Sequence, residues 1–117
     1  MSKPTVYALK SCDTCRKALG ALAKAGIEVD VVDIRSEGVP SDVLNAFAND
    51  PGPDVLINRR STTWRQLDEE ARERAMAPAS MPDVLSQHPT LMKRPVIITS
   101  ERTLVGWSAD VQKALNV

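Results

Sequence analysis

Polar and apolar positions alternate in blocks along this chain, and the blocks predict its elements. A short apolar run, TVYAL at residues 5–9, lies between Pro4 and Lys10 and predicts a buried strand. From residue 13 to 25 the period changes. Cys15, Ala18, Leu19 and Leu22 recur at helical spacing, and Gly26 supplies a stop. EVDVVDI, residues 28–34, is rich in β-branched side chains and predicts a second strand. Strand, helix and strand in so short a span imply a parallel βαβ unit with a right-handed crossover.

The middle of the chain reads as helical. A helix is predicted over 41–49, after Pro40, and DPGP at 50–53 is a turn. Thr63 and Gln66 have the spacing of a capping box for a helix running to about Ala75. Ser80 and Asp83 repeat that spacing ahead of a helix that ends near His88-Pro89. After this block, PVIIT at 95–99 predicts a strand, SER at 100–102 a turn, and TLVGW an antiparallel partner strand. A closing helix is expected over 108–115, with Val111 and Leu115 on its buried side. The order βαβ, helices, ββα predicts an α/β protein with a thioredoxin-like fold and a helical insertion between its halves. One domain over 1–117 is expected, with core segments 1–35 and 92–117 and an insertion at 40–90.

Composition narrows the function classes. Fifteen basic residues balance fifteen acidic ones, so no strong net field draws the chain to nucleic acid or an anionic membrane. Aromatic platforms for stacking bases are scarce: Tyr7, Phe47, Trp64 and Trp107. No apolar run nears the roughly 20 residues of a membrane span, and MSKPTVYALK has no apolar signal-peptide core. A cytoplasmic monomer is the default expectation. Thiols stay reduced there, so a close cysteine pair points to catalysis, redox sensing or metal rather than to a structural disulfide.

That pair is Cys12 and Cys15, in KSCDTCRK. A structural zinc site wants four ligands, and His88 is the only other soft or imidazole donor. A bridge across three positions closes too small a loop to stabilise the fold appreciably. Cys15 shares its stripe with Leu19 and Leu22, so it can be a small buried apolar residue or a resolving thiol. Cys12 falls at the mouth of the strand-to-helix turn, where unpaired backbone N–H groups and the helix dipole favour a thiolate. Cys12 then attacks a disulfide, and Cys15, one turn along the same face, releases the product. Asp13 and Thr14 help cap the helix; Asp13 would oppose the acidity of Cys12 if it pointed inward. Arg16 and Lys17 add positive charge nearby or are simply solvated.

Two further segments carry candidate chemistry. In LMKRPVII, residues 91–98, Arg94-Pro95 is a candidate cis bond at the start of a strand. In a thioredoxin-like fold this proline faces the cysteine turn, so Arg94 can aim its donor fork at an anion held by Cys12; otherwise it is a surface arginine. In LINRRSTTWRQL, residues 56–67, Arg59 and Arg60 precede a helix and form either an anion site or a solvated basic turn. Trp64 and Leu67 are expected in the helix core. Ser11, Asp13, Thr14, Asn58, Arg59, Arg60 and Pro95 are the expected substrate contacts, and no metal is expected.

YALKSCDTCRKAL, VVDIRSEG, LINRRSTTWRQLDE and LSQHPTLMKRPVI, in that order and spacing, resemble the ArsC/Spx family along nearly the whole chain. The middle segment is most similar to the YffB branch, small bacterial proteins suggested to be glutathione-dependent thiol reductases. The resemblance implies a thioredoxin-like fold with a helical insertion, Cys12 as nucleophile, no bound cofactor and glutathione as co-substrate, with glutaredoxin a possible partner. It makes Arg94 the counterpart of an oxyanion-holding arginine in arsenate reductases. Those enzymes set three arginines around the nucleophile; here Asn58, and Trp107 or its neighbourhood, stand where the other two would be. Arsenate reduction is thus one alternative. A Spx-like redox regulator of the RNA polymerase alpha subunit is another, since Spx also has the second cysteine.

Overall fold

Four short strands carry the architecture. The computed structural model describes residues 3–117, so the first two positions of the expected domain lie outside the described residues. β1 (Thr5–Ala8), β2 (Asp30–Asp33), β3 (Val96–Ile98) and β4 (Thr103–Val105) form one mixed sheet in the order β2-β1-β3-β4. β1 and β2 run parallel with Val6 opposite Val31, as the βαβ reading requires. β3 is antiparallel to β1, with Ile97 opposite Val6, and β4 is antiparallel to β3, with Leu104 opposite Ile97. This is the thioredoxin-like α/β fold expected from the element order.

Every residue from Val6 to Leu9 is buried, which explains why β1 reads as a continuous apolar run instead of an alternating one. On one face of the sheet, Val6, Ala8 and Ile97 cluster with Cys15 and Leu22 of α1 (Asp13–Lys24) and with Val111 and Leu115. Val111 belongs to α7 (Ala109–Ala114), whose N-cap Ser108 accepts a hydrogen bond from the Val111 N–H. α1 ends where Gly26, at φ +76°, takes a left-handed conformation that side chains disfavour.

The chain falls into two compact units, Met1–Ile34 with Arg94–Val117, and Arg35–Lys93. The second unit is helical: α2 (Ser41–Asn49), α3 (Pro53–Leu56), α4 (Thr62–Gln66), α5 (Glu69–Ala75) and α6 (Met81–Gln87), then a 3-10 turn at Pro89–Leu91. Its own core gathers Leu44, Phe47, Leu56, Ile57, Met81, Leu85, Leu91 and Met92, all essentially inaccessible.

Several local expectations are corrected here. The turn at 50–53 runs into the short helix α3, which opens at Pro53. The helix expected from Thr63 to Ala75 is two helices. Ser61, not Thr63, caps α4 by accepting the Trp64 N–H at 3.1 Å. Thr63 instead shares a 2.7 Å hydroxyl hydrogen bond with Thr90. Asp68 then starts α5 by accepting the Ala71 N–H at 2.8 Å. Ser80 precedes α6 but donates its hydroxyl to the Arg74 carbonyl, so no capping box forms with Asp83. Trp64 is not core: it is half-buried, with the Arg72 guanidinium 5.6 Å from its ring centroid.

Candidate active site at the start of helix α1

The turn from β1 into α1 is held by its backbone. The Cys12 N–H donates to the Leu9 carbonyl at 3.1 Å, and the Cys12 carbonyl accepts the Arg16 N–H at 3.0 Å. Cys12 is therefore the N-cap of α1, in extended conformation, and its side chain makes no cap hydrogen bond of its own. Its sulfur lies within reach of the Cys15 N–H in the first turn. A neutral thiol is a poor acceptor for it; a thiolate is a good one. Cys15, one turn on, is fully buried in the core cluster, while Cys12 is half-buried against that cluster. Both thiols are free.

Arg94 completes the group. The Arg94-Pro95 peptide is cis, Pro95 is buried, and the Pro95 carbonyl accepts the Gly106 N–H at 2.8 Å. Gly106 sits at φ +82°, which lets the chain turn out of β4 beside the proline. This places the half-buried Arg94 within hydrogen-bonding reach of the Cys12 sulfur.

The two thiols are driven in opposite directions. Burial raises the proton affinity of Cys12, but the Cys15 N–H, the Cys15 thiol and the Arg94 guanidinium all favour its thiolate and outweigh burial, so its pKa falls. Burial, the largest cause, and then a Cys12 thiolate beside it raise the Cys15 pKa, while a Leu9 backbone hydrogen bond and the Arg94 charge offset them in part; the net value is about 11. At neutral pH Cys15 thus keeps its proton and donates it to Cys12.

The other expected contacts separate by place. Ser11, Asp13 and Thr14 are exposed around the helix start. Asp13 points outward, 3.8 Å from the Arg16 guanidinium, and Arg16 also donates to the Lys10 carbonyl at 2.9 Å. Arg16 is thereby engaged away from Cys12. Asn58, Arg59 and Arg60 belong to the second unit, where they line a cleft of about 290 Å³ with Asp54, Ile57 and Lys93. So Cys12, Cys15, Arg94 and Pro95 come together in the first unit, and the arginine pair lines a cleft within the second. Lys93 was visible only as a neighbour of Arg94; its place in the cleft depends on the long-range bridge between Ile57 and Met92. The Leu9 backbone, which serves both cysteines, has no side-chain signature at all. Among the described residues, no three His, Cys, Asp or Glu side chains converge as metal ligands, and no helix is long and apolar enough to cross a membrane.

A thioredoxin-like sheet with Cys-X-X-Cys at the first helix and an Arg–cis-Pro beside it defines a thiol protein of the thioredoxin class. Within that class the chain belongs to the ArsC family, whose profile matches residues 7–115. It is 41% identical over 110 residues to an uncharacterised protein of Haemophilus influenzae, covering 94% of this chain and 96% of that one. It is 30% identical over 108 residues to the global transcriptional regulator Spx of Bacillus subtilis, covering 91% of this chain and 81% of the regulator. Among solved structures it is similar to the YffB protein, at 30% identity and a TM-score of 0.87, covering 96% of this chain and 97% of that chain.

Proposed function

We propose that this protein is a thiol–disulfide reductase with glutathione as co-substrate. Family membership and the YffB likeness support the broader reading, a thiol-dependent reductase or a Spx-like member of the family. The observation that carries the enzyme reading is the Cys12 sulfur at the start of α1, between the Cys15 amide and thiol and the Arg94 guanidinium. A thiolate is the attacking species in disulfide exchange, and this environment favours one.

In the proposed cycle, the Cys12 thiolate attacks one sulfur of a substrate disulfide. A Cys12 mixed disulfide forms, and the other half leaves as a thiolate that takes a proton from solvent. Cys15 then gives up its proton and attacks the Cys12 sulfur, expelling the second half and leaving a Cys12–Cys15 disulfide. The substrate has gained two electrons and the pair has lost them; two glutathione molecules return the electrons and leave as oxidised glutathione. Alternatively, a glutathione thiolate resolves the mixed disulfide directly. Arg94 holds an anionic group of the substrate beside the sulfur. The exposed Ser11, Asp13 and Thr14 border the approach.

Intact mass after incubation with oxidised glutathione tests this. The expected product is an internal disulfide in the native protein and a trapped single adduct in Cys15→Ser. Absence of any adduct or disulfide in both proteins refutes the glutathione reading. The second reading, a redox-sensing regulator that docks on the RNA polymerase alpha subunit, draws on the likeness to Spx; retention of this chain on immobilised alpha subunit, lost on oxidation, would favour it.

A further inference from the structure

The second unit carries a basic cleft lined by Asn58, Arg59, Arg60 and Lys93. Its wall comes from two segments pinned side by side. Ile57 and Met92 form an antiparallel bridge. The Asn58 N–H donates to the Leu91 carbonyl at 2.9 Å, and the Lys93 N–H donates to the Leu56 carbonyl at 2.8 Å. The loop beyond is also fixed. The Asn58 side-chain oxygen accepts the Arg60 N–H at 3.1 Å, and the Asn58 carbonyl accepts the Ser61 hydroxyl at 2.7 Å. Asn58 is therefore the scaffold of the loop, with its side-chain oxygen engaged.

This scaffold sets Arg59, Arg60 and Lys93 around one concavity of about 290 Å³, against a single carboxylate, Asp54. Among the described residues, none of the three cationic side chains is held in an ion pair. Like charges brought together on fixed backbone repel one another, and the single Asp54 carboxylate in the cleft leaves two of the three positive charges uncompensated there. An anion would offset them, and arginine forks bind oxyanions in two-point fashion. The cleft's volume, just below the range of drug-sized pockets, suits a small ligand or the charged end of one.

We propose that this cleft binds a small molecule bearing two negative charges on oxygen, presented either by a phosphoryl group or by a pair of carboxylates.

The test titrates the isotopically labelled full-length protein with inorganic phosphate, and in a second arm with succinate, at constant ionic strength and about pH 7.5. Backbone amide shifts of Asn58–Ser61 and Lys93 are expected to saturate in at least one arm; the arm that saturates identifies the phosphoryl or the dicarboxylate source. Each single change, Arg59→Gln, Arg60→Gln or Lys93→Gln, is expected to weaken binding about threefold, and the triple change to abolish saturation. All three side chains are exposed, so the variants keep the fold and the spectrum reports it. Shifts that never saturate in either arm, or saturation unchanged in the triple variant, overturn the proposal.

Discussion

Replacing Arg94 with glutamine removes a charge from the Cys12 sulfur and leaves Cys15 in place, and its effect on Cys12 reactivity is calculable. Arg94 favours the thiolate both by hydrogen bonding and by charge. A hydrogen bond to a charged group contributes about 1.5–3 kcal/mol. Arg94 is only half-buried, and solvent screening brings the contribution just under that range, to about 1.4 kcal/mol, or tenfold in thiolate population at a pH below the pKa. A more basic thiolate is also more nucleophilic, with a Brønsted slope of about 0.4–0.5, so each thiolate that forms reacts about threefold faster. The two effects oppose. Alkylation of Cys12 by iodoacetamide should slow about threefold in Arg94→Gln at acidic pH and quicken about threefold on the alkaline plateau. The two pH profiles must therefore cross. Site-resolved mass spectrometry gives the rates, and thiolate absorbance near 240 nm gives the midpoint. Uniform slowing at every pH, or an unmoved midpoint, would refute the electrostatic role given to Arg94 and leave it a shape-filling residue.

Two further outcomes follow from the same geometry. The Cys15 pKa, raised to about 11, lies above that of an unfolded cysteine, so the unfolded chain loses this proton first as pH rises. The stabilisation is whole below about pH 8.5 and is lost as pH climbs to about 11; urea titrations should show native stability falling by roughly 2–3 kcal/mol more than Cys15→Ala over that window, and parallel curves would contradict it. Gly106→Ala meets no atom within 4 Å, so its cost is the backbone alone at φ +82°; thermal unfolding should report a loss of about 1–2 kcal/mol with Cys12 reactivity retained.

Elements whose signals are local were legible in the chain, and those decided by distant partners were not. β1 and α1 showed their periods, and Gly26 sits past the end of α1 at positive φ. Ser108, at the start of the closing helix as expected, does cap it. In the middle, two serine or threonine positions matched a capping spacing, and the spacing alone could not rank them against Ser61. Thr63 is taken up by Thr90, 27 residues away, and Ser80 by the Arg74 carbonyl. The Asp68 cap was locally readable but was masked by a helical run with no glycine or proline to interrupt it. At the candidate site, Cys12 and Cys15 were legible because three-residue spacing fixes a shared helical face. The neighbourhood of Arg94 required the fold. The cleft residue Lys93 required a bridge that no local pattern encodes.

The opposed acidities of the two thiols also order the proposed chemistry in time. While Cys12 is a thiolate, its charge and its claim on the Cys15 proton both raise the Cys15 pKa. Once Cys12 is tied up in a mixed disulfide it carries no charge, and both of those contributions vanish. Burial remains, opposed by the Leu9 hydrogen bond and the Arg94 charge. Arg94, no longer neutralised by a thiolate, then favours ionisation of Cys15 instead. In the proposed cycle, Cys15 is thus held protonated until Cys12 is tied up in a mixed disulfide. In that proposed cycle, burial of Cys15 is what would limit the resolving step. Substitutions that loosen the cluster around Val111 and Leu115, which packs with Cys15, should speed resolution of a Cys12–glutathione adduct relative to its formation. If quenched-flow mass spectrometry of Leu115→Ala finds the adduct persisting as long as in the native protein, release from burial is not what limits Cys15.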